Sequence, residues 1–219
     1  MTARPTISMA GASAILLDGA AGEFDSEVQR RVWAVGKAAR QIQSVRGVVL
    51  GMNNLMVIFD PLEAEPEAVE SELLVLWATS ALDEVAAHEV EIPVIYGGAA
   101  GEDLVDLARH CGLSVAEVIE RHAAAVYSVA AVGAMPGFPY LSGLDPRLAR
   151  PRRANPRSRV IEGSVIIGGA QAGIMPCTGP SGWHIIGRTD LKLFDPQRLP
   201  PACLKAGDSV RFKIARVDS

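Results

Sequence analysis

From Tyr127 onward the sequence consists of short apolar runs separated by glycine and proline, and this pattern strongly constrains the fold. The runs include SVIIGG at 164–169, WHIIGRT at 183–189 and the alternating Val210, Phe212 and Ile214. Glycine and proline at this density interrupt helices, whereas short apolar runs between turns are typical of strands. Residues 126–219 are therefore predicted to form an all-β domain, either a sandwich or a closed barrel.

The first 98 residues show a different pattern, in which candidate strands and helices alternate. An apolar run at 13–18 indicates a strand, and a capping box at Ser26 and Gln29 opens a helix that extends to about residue 44. A β-hairpin turns at Asn53-Asn54, a second helix begins at Pro66, and residues 91–96 form a final strand. This order of elements predicts a ferredoxin-like domain over residues 1–98.

Two short helices are predicted between these halves, over residues 102–110 and 114–124. Gly112 ends the first helix, and a capping box formed by Ser114 and Glu117 opens the second. We interpret residues 99–125 as a helical connector. The predicted fold class is therefore α+β, with a ferredoxin-like domain followed by a β-barrel.

Composition excludes several classes of protein. The 219 residues carry a formal net charge of -4, which provides no basic face for nucleic acid. Three scattered cysteines, without a C-x-x-C spacing, indicate neither a metal site nor a disulfide framework. No stretch reaches the roughly 18 apolar residues of a membrane span, and no signal peptide is recognisable. We expect a cytoplasmic protein that binds neither nucleic acid nor membranes.

The uncharged segment PGFPYLSGL, residues 136–144, combines two aromatic residues with two prolines and two glycines. Its prolines stiffen the backbone and its glycines, including Gly137, leave the loop sterically open, so Phe138 and Tyr140 are presented on a fixed support. Together with Trp183 they are predicted to line a pocket at the mouth of the barrel. The alternatives are that these rings fill the barrel core or contact a partner protein.

Arginine is concentrated in a segment that contains no acidic residue between Pro146 and Ile161. Its members are Arg147, Arg150, Arg152, Arg153, Arg157 and Arg159. The guanidinium group presents a planar fork of donors that suits a carboxylate or phosphate. We predict that Arg157, with Arg152 nearby, holds a substrate carboxylate. The alternative is a solvated loop whose arginines pair with surface acids or with a partner subunit.

Three further residues are candidates for hydrogen bonds to an amide or lactam: Ser164, Gln171 and His122. His122 lies on the apolar face of its predicted helix, and an ordinary histidine pKa of about 6.5 suits proton transfer, so it is the candidate catalytic residue. The alternative is a histidine satisfied within the core. The GPSGW segment lacks the second glycine of a nucleophile elbow, and no glycine-rich loop ends in the lysine of a phosphate-binding loop.

Four ordered motifs carry a resemblance to a known family. They are GAMPGFPYL at 133–141, PRRANPRSRV at 151–160, EGSVIIGGAQAGIMP at 162–176 and PSGWHIIGRT at 180–189. They resemble the KipI family, whose members are also called allophanate hydrolase subunit 1 or the B subunit of 5-oxoprolinase. IPVIYGG, GEDL and GLSVAEVIERHAAAVYSV also occur in the family's order, so the resemblance covers nearly the whole chain.

This resemblance implies a cyclophilin-like β-barrel as the C-terminal domain. It also implies a hydrolase component that works with the KipA-like C subunit and the A subunit in the ATP-dependent opening of 5-oxoproline to glutamate. Because the chain has no complete apparatus for activating a lactam, we expect activity in a complex, with ATP bound elsewhere in it. The alternatives are an allophanate hydrolase-type component that uses a urea-derived amide, and a non-catalytic histidine kinase inhibitor.

Three positions depart from the family pattern. Ala134 replaces the first phenylalanine of G-F-x-P-G-F, Met175 replaces the tyrosine of I-Y-P, and Ser181 replaces a glycine of P-G-G-W. Each change touches the expected edge of the pocket. The loss of two aromatic side chains is expected to widen the pocket or to alter its substrate.

Overall fold

The computed structural model describes residues 4–20, 22–81 and 88–219. The chain divides into two compact units, Met1–Ala86 and Ala87–Ser219. The first contains β1 (Thr6–Met9), β2 (Ala14–Asp18), α1 (Ser26–Ala39), β3 (Val45–Leu50), β4 (Asn54–Phe59) and α2 (Pro66–Thr79). Its antiparallel sheet has the order β1-β2-β4-β3, and its core joins sheet residues such as Leu55 to helix residues such as Val32 and Leu73.

The predicted ferredoxin-like domain needs one correction, which concerns its final strand. Strand β1, which the sequence did not indicate, pairs along β2 at the edge where the last strand of a β-α-β-β-α-β unit would lie. Residues 91–96 instead belong to β5 (Glu89–Gly97), which is part of the barrel. Because Ile92, Val94 and Tyr96 are buried in the barrel core, the unit boundary falls after Ala86 rather than after residue 98.

The second unit is built mainly from strands and contains the elements that follow β5. They are α3 (Leu104–Cys111), α4 (Val115–Ala124), β6 (Tyr127–Val132), β7 (Pro139–Ser142), β8 (Arg157–Val160), β9 (Ser164–Gly168), β10 (Gln171–Ile174), β11 (Gly179–Ser181), β12 (His184–Arg188) and β13 (Ser209–Asp218). A closed barrel has the order β10-β7-β6-β13-β5-β12-β9, and β8 and β11 form a separate two-stranded ribbon. The predicted α+β class with a β-barrel is therefore confirmed.

In the second unit, the first and last strands pair with each other, and the helices pack against the barrel. Strands β5 and β13 pair in parallel, from Glu89 beside Ser209 to Gly97 beside Asp218. Helices α3 and α4, predicted as a connector, pack on the barrel and bury Leu107 in the same cluster as its strands. The expected capping box of α4 is present. In the described part of the chain, no helix is both long and apolar enough to cross a membrane.

Helix α1 begins differently from the prediction. Its N-cap is Asp25, whose Oδ1 accepts hydrogen bonds from the amides of Glu27 and Val28 at 2.7 and 3.0 Å. Gln29, expected to complete a capping box, is buried, and its Oε1 accepts a hydrogen bond from the Asn53 amide at 2.6 Å. Helix α1 is therefore joined to the β3–β4 hairpin by polar groups as well as by the apolar core.

Asn53 supports this junction with its backbone and its side chain. Its φ of 58° lies in the left-handed region, and its side chain accepts from the Asp25 amide at 2.7 Å and donates to the Asp25 carbonyl at 2.6 Å. Asparagine tolerates this conformation better than other residues with a Cβ atom. Its amide side chain therefore suits both the turn and the start of α1.

We expect Asn53→Ala to lower the free energy of unfolding by about 3 kcal/mol, because it removes two hydrogen bonds and leaves a strained φ. Asn53→Gly removes the same bonds but relaxes the backbone, so its expected cost is about 2 kcal/mol. Urea unfolding of the whole chain measures both. An alanine variant as stable as the wild type would contradict the assigned role of the side chain.

Candidate functional site

Strand β9 has an apolar cluster on each of its faces. Val165 and Ile167 belong to the core inside the barrel, whereas Ile166 belongs to a separate cluster with Phe138 and Trp183. Alternate residues of a strand face opposite sides of its sheet. The aromatic side chains therefore lie on the outer face of the barrel wall, which corrects their predicted position at its mouth and excludes the alternative that they fill its core.

Three aromatic rings form the wall of a cavity on this outer face. Phe138 contacts Tyr140 with 4.9 Å between ring centroids, and it contacts Trp183 at 5.7 Å. Tyr140 and Trp183 are 6.2 Å apart, and all three pairs meet edge to face, the arrangement that the charge distribution of aromatic rings favours. Phe138 and Trp183 are buried and Tyr140 is partly exposed, so the rings form a fixed apolar surface.

The loop before β7 holds Phe138 in place. The backbone amide of Phe138 donates a hydrogen bond to the Met135 carbonyl at 3.0 Å, and Gly137 has a φ of 80°. A Cβ atom at Gly137 would lie 2.8 Å from Cβ of Phe194, closer than real side chains approach. Gly137 therefore permits the tight turn beneath the aromatic wall and does not itself line the cavity.

The cavity has a volume of about 290 Å³. Of the residues predicted for the site, it brings together Phe138, Tyr140, Arg152 and Trp183. The three positions that depart from the family pattern, Ala134, Met175 and Ser181, also line it. Sequence reasoning missed Met135, Arg153, Pro156, Pro180 and Gly182. The prolines and glycine carry no chemical signal that distinguishes them from other turn residues.

Arg152 is the charged group of the cavity that remains available to a ligand. Its guanidinium carbon lies 5.6 Å from the ring centroid of Trp183. Unlike Arg153 and Arg157, it forms no ion pair with a carboxylate in residues 4–20, 22–81 and 88–219. An apolar cavity with one uncompensated guanidinium suits a small, flat ligand that carries one negative charge.

Arg157 has a different role from the predicted one. Its guanidinium donates two hydrogen bonds to the carboxylate of Asp103, at 2.8 and 2.7 Å, and Arg153 donates a third at 3.2 Å. The Asp103 carboxylate also accepts a hydrogen bond from the Ile185 amide at 2.8 Å. Asp103 occupies the hydrogen-bond donors of Arg157 that a substrate carboxylate would need. The prediction that Arg157 holds a substrate carboxylate is therefore wrong, and Arg157 has a structural role.

The ionisation of Asp103 reflects this environment. Burial by itself raises the pKa of a carboxyl group, but the hydrogen bonds from Arg157 and Ile185 and the charges of Arg157 and Arg153 lower the pKa of Asp103 below its ordinary value. Asp103 is therefore a carboxylate at neutral pH. Asp103 lies in the GEDL motif, but its role was not predicted, because its partners Arg153 and Arg157 are separated from it by 50 and 54 positions.

His122 is fully buried inside the barrel. Its Nδ1 lies 2.7 Å from the hydroxyl oxygen of Tyr96, and its ring stacks on Phe212 with 4.4 Å between centroids. Burial lowers the pKa of His122 to about 3, so the ring is neutral at pH 7. The prediction of a catalytic His122 is corrected, because the side chain belongs to the barrel core and does not line the cavity.

The other two candidate polar residues also lie outside the cavity. Ser164 is buried at the start of β9, where its carbonyl accepts from the Met175 amide at 2.9 Å. Gln171 begins β10 beside Gly168 and is partly exposed. Neither lines the cavity formed by the aromatic rings and Arg152. In the part of the chain that the structure describes, no group of histidine, cysteine, aspartate and glutamate side chains has an arrangement that could hold a metal ion.

Comparison with known proteins gives a consistent result. The family described as "Carboxyltransferase domain, subdomain C and D" matches residues 5–204. Among curated proteins, one named as the B subunit of 5-oxoprolinase, from Escherichia coli O157:H7, is 45% identical over 185 residues, which cover 84% of each chain.

Two of the matching solved structures contain the same fold within longer chains. A crystal structure of TTHA0988 superimposes with a TM-score of 0.79 at 34% identity, and covers 93% of this chain but 40% of its own. The Kluyveromyces lactis urea amidolyase has a TM-score of 0.81 at 21% identity and matches 97% of this chain with 15% of its own. The second comparison supports the fold alone. This chain therefore spans less than half the length of either protein.

We expect Asp103→Asn to lower the free energy of unfolding by about 3 kcal/mol at pH 7, because two arginines lose their buried carboxylate. A carboxyl group with a lowered pKa in the folded state stabilises that state above its ordinary pKa of about 3.9, and this contribution is lost as the pH falls through the folded value. The difference between wild type and variant should therefore shrink below about pH 4.

Urea unfolding at pH 7 and pH 3 measures this difference. Asp106→Asn is the matched control, because the Asp106 side chain is half exposed and pairs with Arg150. Its expected cost is small, because solvent-exposed ion pairs contribute little to stability. Equal costs for the two variants at pH 7 would contradict the special role of Asp103.

Proposed function

This chain belongs to the carboxyltransferase domain, subdomain C and D family, and we propose that it is the B subunit of a 5-oxoprolinase. In this proposal it acts with the KipA-like C subunit and the A subunit to open 5-oxoproline to glutamate in an ATP-dependent reaction. The observation that carries the proposal is 45% identity, over 84% of both chains, to a protein named as the B subunit of 5-oxoprolinase. The name KipI, as one for this chain, is part of the same proposal.

The cavity on the outer barrel face supports a role in binding the substrate. 5-Oxoproline is a small ring that carries one carboxylate and one lactam group. We propose that the guanidinium of Arg152 binds the carboxylate, since it has no such partner within the described residues. Phe138, Tyr140 and Trp183 would contact the flat ring, since apolar walls with a few polar groups are typical of small-molecule sites.

The cavity does not suit ATP. A triphosphate needs several donors, whereas the cavity offers one uncompensated guanidinium, and its volume is about 290 Å³. The sequence also lacks a glycine-rich loop that ends in the lysine of a phosphate-binding site. We therefore propose that ATP, which would supply the activation of the lactam carbonyl, binds elsewhere in the complex. The residues of this chain would hold and orient the substrate.

We expect ATP-dependent release of glutamate from 5-oxoproline when this chain is mixed with its two partner proteins, and no release when any one protein is omitted. Allophanate as a parallel substrate tests the related amide activity. An assembled complex that converts neither substrate would contradict the proposal and favour a regulatory role, such as binding to a histidine kinase.

In the same assay, Arg152→Ala should lower kcat/KM by about tenfold, because a hydrogen bond to a charged group contributes about 1.5–3 kcal/mol and Arg152 is exposed. Arg159→Ala is the control, since Arg159 belongs to the same segment and is exposed outside the cavity. Identical kinetics for the two variants would remove Arg152 from the substrate site.

A further inference from the structure

Two glycines of the barrel wall lie beneath the aromatic rings. Gly168 ends β9 and pairs with Gln171, and Gly173 lies in β10 and pairs with Ile166. Directly paired residues of neighbouring strands share one face of a sheet. Because Ile166 belongs to the outer apolar cluster, both glycines lie on the face that carries the cavity.

The rings rest against the backbone of these glycines. A Cβ atom at Gly168 would lie 2.5 Å from Cδ2 and 2.6 Å from Cγ of Trp183. A Cβ atom at Gly173 would lie 2.9 Å from Cζ of Phe138 and 3.2 Å from Cζ3 of Trp183. Real side chains do not approach below 3.0 Å, so either substitution forces a ring to move. Neither glycine has a φ in the left-handed region, and space is therefore what requires glycine here.

The geometry determines the direction of that movement. The backbone of Gly168 blocks movement of the Trp183 ring toward the barrel wall, and the same ring lines the cavity together with Arg152. Phe138 and Tyr140 also contact this ring and restrict its sideways movement. A ring that is pushed from the wall therefore enters the cavity and approaches the proposed carboxylate site.

We infer that Gly168 and Gly173 are positioning residues that set the depth of the cavity and so determine which ligands it admits. Two missing side chains let the rings lie directly on the sheet, which leaves room for a small, flat carboxylate above them. The identification of that ligand rests on the proposed function.

The test uses the assembled complex with Gly168→Ala or Gly173→Ala. We expect the KM for 5-oxoproline to rise about tenfold, the effect of one misplaced methyl-sized group in a pocket, with kcat within about twofold of wild type. Gly133→Ala is the matched control, because a Cβ atom at Gly133 meets nothing within 4 Å. A KM that does not change in either cavity variant would overturn the inference.

A second readout follows the ring itself. Labelling with 5-fluorotryptophan gives one ¹⁹F resonance for each of the three tryptophans, and Trp183→Phe identifies the resonance of Trp183. Gly168→Ala should move this resonance and leave those of Trp33 and Trp77 in place. Titration with 5-oxoproline in the absence of ATP should then show an affinity about tenfold weaker than wild type.

The combination with Trp183→Ala separates ring displacement from general damage. Once the ring is removed, Gly168→Ala should cause no further loss of affinity, because coupled residues are not additive. If Gly168→Ala lowers the affinity for 5-oxoproline equally in the wild type and in Trp183→Ala, the inference is overturned. If Gly168→Ala binds 5-oxoproline with wild-type affinity while the wild-type complex turns over normally, the role of the glycines is overturned and the proposed function stands. Absence of turnover in the wild-type complex would instead contradict the proposed function, while the titration still tests the cavity.

Discussion

The buried carboxylate of Asp103 joins three parts of the second unit that are distant in sequence. It stands at the N-terminus of α3, accepts a hydrogen bond from the Ile185 amide of β12, and forms ion pairs with Arg153 and Arg157. Without this carboxylate, Arg153 would lose its ion pair and Arg157 would keep only the more exposed Glu102, so part of their desolvation cost would be uncompensated. The pairing therefore fixes the arginine-rich segment against the barrel on one side of Arg152, whose guanidinium is left free to lie over Trp183.

A barrel wall that is covered on both faces explains why the site lies outside the barrel. The strand SVIIG of β9 has Val165 and Ile167 in the inner core and Ile166 in the outer cluster, so every residue along it is buried. Such a strand is a continuous apolar run, and its sequence has no polar alternation to show which face carries a ligand. The cavity therefore lies on the outer face of a barrel wall whose inner face is packed in the core, and this wall is a rigid support.

Local patterns were sufficient to predict much of the fold, whereas the site depended on distant pairs. The Asn53 turn and the capping box of Ser114 and Glu117 were predicted from short-range chemistry, and the aromatic wall from the rigidity of its loop. Strand β5 was assigned to the wrong unit because its apolar residues suit any buried sheet. The partner of Arg157 follows from contacts between remote segments, which no local pattern encodes. For His122, the helix periodicity predicted an inward position but left open whether the side chain is catalytic or belongs to the core, and the structure places it in the core.

The parallel seam between β5 and β13 has a consequence for the order of folding. These are the first and the last strand of the second unit, and their pairing aligns Glu89 with Ser209 and Gly97 with Asp218. Loop closure over such a separation is entropically costly before any contact compensates for it. On the ribosome, β5 is exposed long before its partner has been synthesised. The barrel therefore cannot close before β13 has been synthesised, and until then this edge of β5 lacks its partner strand, the kind of exposed edge that favours misplaced pairing.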